Sequence, residues 1–154
     1  MVTNASKIET KTYISERYGL FIALGLIAFF FIMRISGLLY VVELRVMNIF
    51  IMIAGILTAI KALRRMSPEE FTYFKGMGTG ILTGIVGSVL FGLFIFFYVS
   101  FLDTGLMQSI IENEPMGRFM NPYIVSVIIV VEGIASALLV TFVLMNYLDP
   151  TKMH

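Results

Sequence analysis

One ionisable side chain stands alone inside an apolar stretch: Glu132, in IIVVEGIASALLV. With a helix opening at Asn121-Pro122, Glu132 lies about 15 Å from that end at 1.5 Å per residue, close to the centre of a hydrocarbon layer about 30 Å thick. A carboxylate at that depth costs several kcal/mol unless it is protonated or paired, so it reads either as a structural clamp or as part of an ion or proton path. Three residues are expected to share its site. Arg45 falls roughly 12 Å below the same face if the preceding turn is at Ser36-Gly37, Asn48 lies on the same side of that helix, and Ser136 follows Glu132 by one turn. The expectation is a buried polar cluster of Arg45, Asn48, Glu132 and Ser136.

Other chemistry finds little footing. The chain has no cysteine, which closes thiolate, disulfide and iron-sulfur routes. Its one histidine is the last residue, His154, where no base or ligand has dependable partners. The 11 methionines read as adaptable packing, since copper ligation would want His or Cys beside them. GMGTG, at Gly76 to Gly80, lacks the strand and soluble helix that a phosphate loop requires. Asp103, Glu112 and Glu114 show no calcium-loop spacing and read as a solvated face opposite Arg118. No catalytic residues, metal or cofactor are expected. A net charge of +1 gives no reason to expect nucleic acid as a partner.

The elements that must hold such a cluster are membrane helices. Of the 154 residues 58% are hydrophobic and 14% charged, against about 25% charged in soluble domains. Gly76 to Leu102 carries no charge, and about 20 apolar residues suffice to cross a bilayer. At about 100° per residue, Gly76, Gly80, Gly84 and Gly87 form one stripe, continued by Phe91 and Tyr98. Small residues spaced by four let helix backbones approach closely in lipid, so this stripe should meet another helix of the chain or of a second copy. Ser126, Gly133 and Ala137 form the receiving stripe on the last helix.

The fold class is therefore all-α, an integral membrane four-helix bundle in a single domain over 1–154. Its helices are expected at about 17–36, 38–62, 68–102 with an interfacial lead-in, and 122–146. The first run lacks a small-x-small cleavage site and is retained as a helix. A tight hairpin follows at Ser36-Gly37, with Val41 to Glu43 as the rival boundary. Ser67-Pro68-Glu69-Glu70 matches a capping box, and a kink is expected near Gly76 to Gly80. Asp103 to Asn121 carries an amphipathic patch of Leu106, Met107, Ile110 and Ile111 for the membrane surface. Eight of the 11 Lys and Arg residues (Lys7, Lys11, Arg17, Lys61, Arg64, Arg65, Lys75 and Lys152) fall on the side of the termini, which makes both termini cytoplasmic. Lys61, Arg64 and Arg65 would also touch anionic headgroups.

FTYFKGMGTGILTGIVGSVLFGLFIFFYVSFLD resembles the third-span region of small bacterial four-helix membrane proteins classed as a domain of unknown function, number four-one-nine-nine. There a Phe-containing lead-in runs into a Gly-rich span ending in aromatics and an Asp, and Phe71, Gly76, Tyr98 and Asp103 match that outline. The similarity extends more loosely over all four spans. The chain departs in its short segment between spans three and four, where relatives tend to carry a longer acidic helical one. The resemblance implies a bacterial inner-membrane location and no established activity, and it carries over no catalytic or binding residue.

The first functional reading is a non-enzymatic inner-membrane protein acting through helix association with itself or another membrane protein, with lipids around it. The second is a small transporter or channel component using Glu132. A water-lined crevice at Glu132 would favour the second reading, and a dry paired contact the first.

Overall fold

The computed structural model describes residues 2–38, 46–113 and 115–148. Four of its helices are long and apolar enough to cross a membrane, over Thr12–Ile35, Met47–Met66, Tyr73–Leu102 and Pro122–Tyr147, which marks a multi-pass membrane protein. Helix α1 covers Val2–Ile35, α2 Met47–Met66, α3 Tyr73–Phe97, α4 Thr104–Asn113 and α5 Pro122–Tyr147.

The first helix starts well before the expected residue 17. No Gly or Pro interrupts Val2 to Tyr18, so nothing breaks the helix as it leaves the apolar layer, and Ile14 and Ser15 are already buried. It stops where the turn chemistry requires. Gly37 adopts φ +70, Leu38 N–H bonds Met33 C=O at 3.0 Å and Gly37 N–H bonds Arg34 C=O at 3.3 Å, a Schellman stop that only glycine enters without strain.

The second helix is observed from Met47 and runs four residues past the expected end at 62, to Met66, where Pro68 disfavours further helix. Glu43, Arg45 and the rival turn lie outside the described residues. The capping box at Ser67 does not form. Pro68–Glu70 is one 3-10 turn without a side-chain cap, Phe71 and Thr72 are extended, and α3 starts only at Tyr73. Gly76 to Gly80, where a kink is expected, lie within one continuous α-helix that runs to Phe97. The irregularity comes at the other end, where Tyr98–Leu102 widens to a π-turn closed by Asp103 N–H on Tyr98 C=O at 2.9 Å. Asp103 then caps α4 by accepting the Leu106 N–H at 2.9 Å, and Asn121 caps α5 by accepting that of Ile124 at 2.9 Å.

Helix α3 is the centre of the bundle. It packs along both α1 and α5, and α2 lies against all three, whereas α1 and α5 hardly touch. One end of the bundle carries Lys61, Arg64, Arg65 and Lys75 and is called the basic end here. The other carries α4 as a roof.

The glycine stripe points inward to the chain's own helices. A β-carbon on Gly76 would sit 2.7 Å from the Met145 sulfur, and one on Gly80 2.6 Å from the Thr141 methyl. At Gly84 it would collide with Ala137, and at Gly87 it would lie 2.8 Å from the Ile22 side chain. The stripe thus serves α5 over its first three glycines and α1 at Gly87, with Ile56 of α2 also against Gly80 and Gly84. Ser88 against Gly133 and Gly92 against Val130 extend the α3–α5 ladder at the same four-residue step. The Ser126 carbonyl lies 3.3 Å from the β-carbon position of Gly92, so Ser126, Gly133 and Ala137 all lie against α3.

Candidate functional site: a roofed crevice at Glu132

Beside the upper rungs of this ladder a space opens. Ile22, Ile56 and Ala137 form a waist in which each is at most 1% exposed. Toward the roof, between α2 and α5, opens a crevice of about 480 Å³, within the size range of about 300–1,000 Å³ typical of small-molecule sites. Aromatic bulk on the α1–α3 side fixes its wall: Phe30 meets Tyr98 edge to face at 5.1 Å and Phe94 at 5.8 Å. Helix α4 closes the top with Leu106, Ser109, Ile110 and Asn113.

Three members of the expected buried cluster share one space, and no hydrogen bond joins them to one another. Glu132, Ser136 and Asn48 all line the crevice, Glu132 as an exposed side chain and the other two half-buried. Arg45 lies outside the described residues. Glu132 has no hydrogen bond or ion pair to another described residue. It is the one ionisable group among the described lining residues.

Residues that sequence reasoning passed over complete the site. Ser88 lines the floor and donates its hydroxyl to Gly84 C=O at 2.8 Å. In the sequence it hides among the glycines, and its only signal was the four-residue step from Gly84 to Gly92. At the mouth, Ser109 donates to Gly105 C=O at 3.1 Å and Asn113 donates its amide to Ser109 C=O at 2.8 Å. Each of these three groups has spent a donor on a backbone carbonyl and keeps acceptor capacity, and Asn113 also keeps one N–H.

The roof is fastened at its start. Asp103, while capping α4, also takes an ion pair from Arg34 at the end of α1. That contact ties the first span to the roof beside the π-turn. The packing residues Gly76, Gly80, Gly84, Gly87, Gly133 and Ala137 all lie in the ladder or the waist; only the Gly133 backbone reaches the crevice.

The model of a family described as a protein of unknown function, DUF4199, matches residues 17–116. The chain belongs to this family. The match to DUF4199 takes in the first three spans and the roof helix, while α5 with Glu132 and Ser136 lies beyond it. No curated protein and no solved structure matches the chain.

Proposed function

We propose that this DUF4199 member is a non-enzymatic membrane-embedded binding or carrier protein, whose ligand occupies the roofed crevice and meets Glu132. The observation that carries this reading is the crevice itself: about 480 Å³ with apolar walls and a few convergent polar groups around one carboxylate. Among the described lining residues no second titratable group accompanies the carboxylate, an arrangement better equipped to bind than to catalyse. The glycine stripe, the sequence's argument for assembly, is filled by the chain's own helices and gives no support to self-association.

The waist closes the crevice toward the basic end, so net transport would require Ile22 and Ile56 to separate. A bacterial cytoplasmic membrane, with the basic end inside, is supported by Lys61, Arg64, Arg65 and Lys75 at that end. The crevice then faces the outer half.

Native mass spectrometry of protein extracted in a mild detergent tests the reading. Wild type should carry a non-covalent adduct of small-molecule mass that Ser136→Phe, which fills the crevice, releases. Adduct-free spectra identical for both proteins, with discrete oligomers in their place, would return the assembly reading.

A further inference from the structure

We infer that the crevice selects amphipathic amines: a protonated nitrogen on an apolar body, paired with Glu132. This rests on the binding reading above and adds the chemical class of the ligand.

Three independent features favour a cationic donor. The first is charge: Glu132 is the only ionisable group among the described residues lining the crevice, and none of the described residues pairs with it. In low dielectric an unpaired carboxylate is costly, and a cation brought in by the ligand removes that cost while losing its own. The second is hydrogen-bond polarity. Ser88 and Ser109 have each committed their single O–H donor to a backbone carbonyl and retain only acceptors, and Asn48, Asn113 and Ser136 each keep an acceptor beside their donors. An ammonium brings donors and no acceptor, whereas a carboxylate or phosphate head would face acceptors and Glu132 together. The third is the wall. Phe30 and Phe91 are buried and line the crevice with Phe29, and aromatic faces attract desolvated cations. Met33 and Met52 beside them suit bodies of differing shape.

The test uses ligands of one tail and two heads. Wild-type protein in nanodiscs of uncharged phosphatidylcholine is treated with dicyclohexylcarbodiimide, and modification of Glu132 is followed by peptide mass, with Glu132→Gln as the blank. Dodecylamine should slow modification about tenfold at ten times its dissociation constant, and dodecanol should not. Ser136→Phe should abolish the protection by amine. Equal protection by both compounds would overturn the choice of amines and leave the crevice as a binding site. Failure of both compounds to protect, with Ser136→Phe labelled like wild type, would overturn both readings. Protection that emerges only in Arg45→Gln would make that arginine the resident cation and overturn the proposal.

Discussion

The two halves of the bundle solve the same problem differently. Below the waist, toward the basic end, the four-residue steps Gly76, Gly80 and Gly84 meet Met145, Thr141 and Ala137 so closely that no β-carbon fits between them. Above it, the α1–α3 seam is held by interlocked rings of Phe30, Phe31, Phe94 and Tyr98, and α2 and α5 diverge around Glu132. Lipid provides no hydrophobic drive for helix contact, so contact distance follows side-chain size. Small residues keep α3 against α5 in both halves, and above the waist a space lined by α2 and α5 opens beside that contact. Glu132, Ser136 and Asn48 line that opening, whereas the hydroxyls of Thr79, Thr83 and Thr141 are packed into the closed half.

Breaking the closed half should have the largest effect. Gly84→Leu drives a branched side chain into Ala137 and Ile56, and overpacking by even small increments costs about 1–3 kcal/mol. The expected outcome is loss of monodisperse protein on size-exclusion chromatography, and an unchanged elution profile would remove the ladder as the basis of the fold. Filling the open half should do the opposite: Ser136→Phe is expected to keep the wild-type melting temperature within a few degrees while abolishing ligand adducts. Glu132→Gln should likewise keep the fold, or stabilise it, because an unpaired carboxylate in lipid costs more than an amide. A clear fall in melting temperature for Glu132→Gln would instead mark the carboxylate as a clamp.

The roof fastening sets a smaller scale. Asp103→Asn removes the ion pair to Arg34 but keeps an N-cap, whereas Asp103→Ala loses both. The alanine variant should be less stable by about 1 kcal/mol more than the asparagine variant, as read by thermal denaturation. Equal losses would mean the cap contributes nothing. The smallest effect is expected at Thr141, whose buried hydroxyl, like that of Thr79, has no hydrogen-bond partner among the described residues. Thr141→Val should leave stability unchanged or raise it slightly, since an unsatisfied hydroxyl gives way to a methyl of the same shape. A measurable fall would reveal a hydrogen bond made in the membrane.

Much of this was legible in the chain. The Ser36-Gly37 stop, the Asn121-Pro122 start and the pairing of Gly84 with the Ala137 stripe follow from local rules and from a four-residue period. Where reading failed, a competing local choice won. Ser67 lost its capping role because Pro68–Glu70 took a 3-10 turn and Phe71 turned inward against Gly76. The π-turn at Tyr98 had no signal in FFYVSFLD, since widening a helix by one residue per turn leaves no mark on an apolar run.

Sequence alone determined that lipid is the solvent, how many times the chain crosses it, and that one carboxylate lies within a crossing, because these depend on residue type and run length. Tertiary structure decided what Glu132 faces. Whether helices close or part at a given depth depends on the sizes of side chains drawn from separate spans, Ile22, Ile56, Phe91 and Ala137 among them. Nothing along a single span records that sum.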